Sequence, residues 1–291
     1  MTAFQGIWVP LITPFRQREP DLAALQRLTA HLLQQGVDGF VVCGTTGEPA
    51  TLSDDEQRRV LAAVHEVAGA RCPLVFGLSG NDSAAMLARM RAMEQEPLAG
   101  WLISAPYYTR PSQDGIRRHF EMLADATGKP VLLYNVPYRS AVGMETATLR
   151  ALAAHPRIVG IKQSAGNDLD QLAALIDDTP LQVLSGEDAL IFVNACMGGH
   201  GAIAAVAHVR PDLYRRLLAL VQAGELAAAR RLHYALLPWI RLLFAEPNPA
   251  PLKAALAMMG LIDDGLRLPM TEASAALRGR IEHALPEILA L

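Results

Sequence analysis

The chain has 291 residues, of which 51% are hydrophobic and only 19% are charged, with a formal net charge of −3. This length suffices to bury a large core without disulfides, and the lack of a basic excess argues against nucleic acid as a partner. Three scattered cysteines argue against a disulfide framework and favour a cytoplasmic setting. The eight histidines show no metal-ligand spacing, so we expect no metal site.

Eight short apolar runs alternate with amphipathic stretches of helical period. The runs are continuous rather than alternating, which indicates strands of a parallel sheet buried on both faces beneath helices. The predicted strands cover residues 6–10, 40–43, 74–77, 101–104, 131–135, 158–162, 182–186 and 201–204. The predicted helices between and after them cover residues 22–35, 54–68, 83–95, 113–126, 145–154, 169–178, 188–197 and 211–223.

Local signals support the helix boundaries. Ser53 and Glu56 form a capping box ahead of the second helix, and Pro73, Pro130 and Pro156 each stand between a helix and a strand. Eight β/α units favour a closed barrel over an open sheet. The predicted fold is therefore α/β, a (β/α)8 TIM barrel. Neither G-x-G-x-x-G nor a Walker A loop occurs, which argues against a doubly wound nucleotide fold.

The strand pattern stops at about residue 224. Beyond it the sequence predicts three helices, at residues 225–244, 251–259 and 272–289. We therefore expect a catalytic barrel over residues 1–224 and a C-terminal helical domain over residues 225–291.

Two segments bear on targeting and membranes. The first fifteen residues have neither a positive n-region nor a full h-region, so we expect no signal peptide. Residues 189–209 lack Asp, Glu, Lys and Arg and would be long enough to span a bilayer. Their centre is Gly-Gly-His-Gly, which favours a helix, a tight turn and a buried strand over a membrane span.

Active sites of such barrels lie at the carboxyl ends of the strands, and Lys162 is the one charge ending a buried run. An amine in apolar surroundings has its charged form disfavoured. A neutral amine can attack a ketone to form an imine, which then withdraws electrons from the neighbouring carbon. The alternative is a lysine whose ammonium extends from the strand end to water.

Other strand ends carry further candidates, each with a structural alternative. Tyr134 could relay protons or could only line the barrel. Thr45 and Thr46 could hold a carboxylate through hydroxyl and backbone N–H groups or could only form a turn. Arg139 could bind a carboxylate through its planar fork or could lie on the surface.

The candidates stand in motifs that resemble the dihydrodipicolinate synthase and N-acetylneuraminate lyase family over essentially the whole chain. GTTGE, YNVP and GIK in this order are specific for the superfamily, and PYYTRPSQ and EPNP favour the synthases. The motifs are PLITPF (10–15), GTTGE (44–48), PYYTRPSQ (106–113), YNVPYR (134–139), GIK (160–162), LSGED (184–188), GGHGAI (198–203), EPNP (246–249) and LPM (268–270).

The resemblance implies a pyruvate-dependent Schiff-base (class I aldolase-type) lyase that needs no metal or organic cofactor. Lys162 would form the imine with pyruvate, and Tyr134 would be the central proton relay. Thr46 would hydrogen-bond between Tyr134 and Tyr108, the latter donated across a subunit interface. The family commonly forms homotetramers built from tight dimers, so we expect a tetramer or dimer.

The resemblance also implies binding roles. Thr45 and Thr46 would bind the carboxylate of pyruvate through their backbone, and Arg139 would hold the carboxylate of the second substrate. Gly186 and the backbone of Ile203 would line the pocket. The implied reaction condenses pyruvate with aspartate 4-semialdehyde to 4-hydroxy-tetrahydrodipicolinate, on the route to lysine and diaminopimelate.

Two departures from the family pattern bear on the second substrate. Tyr138 stands where the synthases usually have a small residue, and Gln163 stands where many have Glu. These departures favour the alternative of another pyruvate-dependent aldolase, lyase or hydratase-aldolase acting on a sugar acid or other aldehyde. Two further alternatives are a non-catalytic barrel that binds a keto acid and a phosphate-binding barrel that uses GTTGE as a cradle.

Feedback by lysine is a further property of some family members. Asn81 and Tyr107 match their lysine pocket, whereas Asp54, Gln57 and Ala85 stand where His, His and Glu are expected. The sequence therefore predicts weak or absent inhibition by lysine.

Overall fold

The computed structural model describes residues 4–291, so residues 1–3, on which the signal-peptide expectation partly rests, lie outside the described residues. Eight parallel strands form one closed sheet in the order β1-β10-β9-β8-β7-β6-β5-β4. This confirms the predicted barrel. The strands are β1 (Gly6–Pro10), β2 (Phe15–Arg16), β3 (Glu19–Pro20), β4 (Gly39–Val42), β5 (Leu74–Leu78), β6 (Gly100–Ser104), β7 (Val131–Asn135), β8 (Ile158–Gln163), β9 (Gln182–Ser185) and β10 (Gly201–Ile203).

Helices follow the strands as predicted, with differences at a few ends. The third predicted helix stops three residues early, and a four-residue helix after β7 was not predicted. The helices are α1 (Leu22–Gln34), α2 (Asp54–Ala68), α3 (Ser83–Ala92), α4 (Gln113–Asp125), α5 (Pro137–Ser140), α6 (Thr146–Ala153), α7 (Leu169–Asp178), α8 (Ile191–Cys196), α9 (Pro211–Gln222), α10 (Leu226–Leu243), α11 (Ala250–Met258) and α12 (Ala275–Ala290).

The predicted signals for burial and capping are confirmed. Every residue of β4, β5, β6 and β7 is buried, as expected for strands covered on both faces. At the start of α2 the Ser53 hydroxyl accepts from the Glu56 N–H, and the Glu56 carboxylate accepts from the Ser53 N–H. Two N–H groups that have no partner within the helix are thereby satisfied.

The chain divides into two compact units. The middle unit comprises Leu74–Ile203 with residues 4 and 5, and the terminal unit comprises Gly6–Pro73 and Ala204–Leu291. In the middle unit, β5 to β10 pair in parallel with continuous register apart from one shift between β7 and β8, at Val131 and Leu132. In the terminal unit β1 pairs with β4, and β2 and β3 form a small antiparallel hairpin.

Within the described residues, the chain after Ile203 contains helices and turns but no strand ladder. The division at residue 224 into a barrel and a helical domain stays a prediction. The uncharged segment 189–209 folds as α8, a turn and β10, as predicted. Across residues 4–291, every helix is too short or too polar to cross a membrane.

Candidate active site

Lys162 and Tyr134 lie side by side at the carboxyl ends of β8 and β7. They are register partners in the parallel ladder, so their side chains project to the same face. The Lys162 Nζ lies 4.4 Å from the centroid of the Tyr134 ring. Both residues are buried, at 7% and 6% exposed. The structure therefore places a lysine amine against a phenol in a water-poor site.

Lys162 is one of only three lysines in the sequence, and the other two have their amines occupied. Lys129 donates to the carbonyl oxygens of Glu96 and Leu98. Lys253 forms a buried ion pair with Glu48 at 2.5 Å. Among residues 4–291, no carboxylate forms an ion pair with Lys162. Its amine is thus the one left available to attack an electrophile.

Gly186, directly after β9, leaves the space that the Lys162 side chain occupies. A Cβ at this position would overlap the Ser164 Oγ and would lie 2.8 Å from both Cγ and Cε of Lys162. The Gly186 N–H donates to the carbonyl oxygen of Gln163, which fixes the backbone there. Only glycine fits without moving the lysine.

We expect Gly186→Ala to reduce kcat/KM for pyruvate, in the reaction that the resemblance implies, by about ten- to a hundredfold. The reason is that the added methyl displaces the Lys162 amine by a substantial fraction of an ångström. Gly279→Ala is the matched control, since a Cβ at Gly279 meets no atom within 4 Å. Steady-state kinetics of both variants measure the effect. Adding Ser164→Ala removes only the closest clash, so recovery of full activity in that double variant would contradict the explanation.

Glu187 and Arg139 add charged groups to the site. Burial raises the pKa of the Glu187 carboxyl, and the charge of Lys162, a backbone N–H of Gly166 and the charge of Arg139 each partly lower it. Arg139 lies on α5, exposed, with its Cζ 5.3 Å from the centroid of the Tyr138 ring. No role was predicted for Glu187 from the sequence, although it follows a strand end as the other candidates do.

Gln163 follows Lys162 and turns the other way, as successive residues of a strand do. Asn135 donates its Nδ2 to the Gln163 Oε1 at 3.1 Å, and Gln163 donates to the Gln171 Oε1 at 2.6 Å. Gln171 in turn donates to the carbonyl oxygen of Met144. This buried amide network occupies the Gln163 side chain on the face opposite to Lys162.

Thr45 and Thr46 belong to the terminal unit, in a 3-10 turn that follows β4. Thr46 is 4% exposed and Thr45 is half-buried. The Thr46 hydroxyl accepts a hydrogen bond of 3.1 Å from the Asn248 Nδ2. Asn248 lies in the EPNP motif, for which no role was predicted from the sequence, so this contact identifies a residue that was missed.

The two remaining candidates lie at opposite extremes of exposure. Ile203 ends β10 and is 1% exposed. Tyr108 is 86% exposed, and its φ of 70° lies in the left-handed region that residues with a Cβ rarely adopt. Its ring is therefore not buried by its own chain.

A sequence model of the Dihydrodipicolinate synthetase family matches residues 3–288. The chain belongs to this family. The resemblance predicted from the motifs is confirmed. The 4-hydroxy-tetrahydrodipicolinate synthase of Syntrophobacter fumaroxidans is 40% identical, over 97% of this chain and 98% of the relative. Membership of this family also confirms the predicted class of enzyme, a pyruvate-dependent Schiff-base lyase.

Solved structures of the family share the fold closely. Chloride-inhibited dihydrodipicolinate synthase from Acinetobacter baumannii, in complex with pyruvate, gives a TM-score of 0.95 at 33% identity, over 99% of this chain and 100% of that chain. The enzyme from Cyanidioschyzon merolae with lysine bound gives a TM-score of 0.95 at 32% identity, over 99% of both chains.

Proposed function

We propose that this enzyme condenses pyruvate with aspartate 4-semialdehyde to 4-hydroxy-tetrahydrodipicolinate through a Schiff base on Lys162. The observation that carries the proposal is the buried Lys162 amine, which lies against the Tyr134 ring and forms no ion pair with a carboxylate within residues 4–291. A primary amine held at a fixed position beside the substrate is the nucleophile that imine formation requires.

The steps of the proposed reaction follow from the Lys162 amine and the Tyr134 phenol. The Lys162 Nζ adds to the carbonyl carbon of pyruvate, and loss of water gives the iminium. Loss of a methyl proton then gives an enamine, whose terminal carbon attacks the aldehyde carbon of the second substrate. The amine of the semialdehyde closes the ring and displaces Lys162. Tyr134 carries protons to and from the nitrogen and oxygen atoms in these steps.

The binding roles are part of the same proposal. Backbone N–H groups of the Thr45–Thr46 turn bind the carboxylate of pyruvate, as oriented amides in tight turns bind anions. The exposed guanidinium of Arg139 binds the carboxylate of the semialdehyde. Gly186 and the backbone of Ile203 line the pocket.

Tyr108 supports a proposal about assembly. Its side chain is a large, exposed aromatic group on a backbone with a disfavoured φ, and such a group is suited to insertion into another copy of the chain. We assign it to the relay of a neighbouring subunit in a homotetramer or dimer that works in the cytoplasm. Thr46 is assigned to the same relay.

Turnover of pyruvate plus aspartate 4-semialdehyde, coupled to the reductase that consumes the product, tests the proposal. One observation favours a different aldehyde: the Tyr138 ring lies against the Arg139 guanidinium and occupies space beside the proposed carboxylate clamp. Absence of turnover with aspartate 4-semialdehyde, together with borohydride trapping of pyruvate on Lys162, would direct the proposal to other aldehydes and sugar acids.

Lysine is expected to leave the activity unchanged up to millimolar concentration. Gln57 is buried and donates its amide to the carbonyl oxygens of Pro49 and Leu52, so its side chain is already engaged. Ala85 offers no carboxylate to an ammonium group. A lysine titration of the coupled assay measures the effect, and half-inhibition well below millimolar lysine would contradict it.

A further inference from the structure

The Thr45–Gly47 turn is held in a conformation that needs support. Glu48, which ends it, has a φ of 56°, in the left-handed region, a conformation that residues with a Cβ avoid without local compensation. Thr13 donates its hydroxyl to the carbonyl oxygen of Gly47 at 2.7 Å, which fixes one side of the turn.

The other side of the turn is held by a buried ion pair. The Lys253 Nζ lies 2.5 Å from the Glu48 Oε1, and the two side chains are 0% and 3% exposed. Lys253 also donates to the carbonyl oxygen of Gly265 at 2.9 Å and lies 4.4 Å from the centroid of the Phe15 ring. Burial lowers the pKa of Lys253, and the charge of Glu48 opposes that shift. A charge pair this deeply desolvated is kept only with close, well-fixed geometry.

The same short segment contacts the turn twice. Lys253 lies in α11, whose first turn is closed by the Lys253 N–H donating to the carbonyl oxygen of Pro249. Asn248, just ahead of α11, donates to the Thr46 hydroxyl. Segment 248–253 therefore contacts the turn at two points, through a hydrogen bond from the Asn248 amide to Thr46 and through the ion pair with Glu48.

We infer that Glu48 and Lys253 are positioning residues for the substrate-carboxylate site: their ion pair fixes the Thr45–Gly47 turn, and with it the Thr46 hydroxyl and the backbone N–H groups. The inference rests on the proposed function, in which this turn binds the carboxylate of pyruvate. Neither residue touches the substrate. Their effect is on pyruvate binding rather than on the second substrate.

Isosteric removal of one charge tests this. Glu48→Gln is expected to raise the KM for pyruvate by about tenfold, since a shift of a fraction of an ångström in the carboxylate site has effects of this order. The KM for the aldehyde stays within about twofold of the wild-type value, because the proposed binding of its carboxylate depends on Arg139 rather than on the turn. Borohydride trapping at saturating pyruvate still labels Lys162.

Glu56→Gln is the matched control. Glu56 pairs with Arg267 at 2.5 Å, and Arg267 lies 4.7 Å from the same Phe15 ring. The Glu56 carboxylate itself accepts from Ser53 and Arg267 at the start of α2 and has no hydrogen bond to the Thr45–Gly47 turn among the described residues. The control loses thermal stability without any change in the KM for pyruvate. A merely structural role for Glu48 predicts the same behaviour for both variants.

The double variant Glu48→Gln/Lys253→Met covers the case in which Glu48→Gln alone fails to fold, because it leaves no unpaired buried charge. A raised KM for pyruvate in this variant supports the inference. A KM for pyruvate within twofold of wild type, in whichever of the two variants folds, overturns it. Failure of the wild type itself to trap pyruvate is a distinct result, since it removes the proposed function before any variant is compared.

Discussion

Lys162→Ala is expected to abolish turnover, with a loss of at least about three orders of magnitude, the scale seen when a covalent nucleophile is removed. The variant keeps the fold, because the change only shortens one side chain at a strand end. The coupled assay measures the loss. Borohydride treatment with pyruvate, followed by mass spectrometry, shows whether an adduct of pyruvate forms.

Lys129→Ala is the control for that experiment. Its amine donates to two backbone carbonyl oxygens, so its loss lowers stability without touching the chemistry. With three lysines in the chain, peptide mapping assigns the adduct without ambiguity. A full adduct in Lys162→Ala, or an adduct mapped to Lys129 or Lys253, would refute the assignment of the nucleophile.

Tyr134→Phe is expected to lower kcat by about 10²- to 10⁴-fold, the usual contribution of a positioned proton-transfer group. The phenyl ring keeps its packing against the Lys162 amine, so the melting temperature and the overall fold remain. Single-turnover kinetics separate a slow imine-forming step from slow product release.

Tyr234→Phe provides the same substitution at a position where the phenol is 63% exposed on α10, and it should leave kcat unaltered. A kcat for Tyr134→Phe within tenfold of the wild-type value would argue that the phenol only lines the barrel. Tyr134 would then be a packing residue, and another group would have to carry the protons.

The barrel strands could be predicted from the sequence because they are short, largely apolar runs that lie between stretches of helical period. The β2–β3 hairpin could not. Its turn residues, Gln17 and Arg18, have φ values of 51° and 70°, yet they lack the Asn-Gly or Gly pattern that predicts such turns. Its position is set by tertiary contacts of the terminal unit, such as the bridge between Phe15 and Asp264.

Candidate site residues also differ in whether the sequence alone could predict them. Lys162 was found from sequence because it is the single charge at the end of a buried run. Asn248 and Thr46 are 202 residues apart in the chain, and no local pattern connects them. The sequence also could not show whether Gln163, which stands where many synthases have Glu, faces the substrate site. Only its hydrogen-bond network with Asn135 and Gln171 shows which way its amide points.

The scarcity of lysine has a consequence for an enzyme whose proposed substrate is an aldehyde. Aldehydes condense reversibly with primary amines, whereas guanidinium groups stay protonated and react poorly. Only three of the 26 Lys and Arg residues are lysines, and none of the three is exposed. A reactive aldehyde thus meets a surface whose cationic side chains are arginines, so adventitious imines on lysine side chains are suppressed while the buried amine remains free to react.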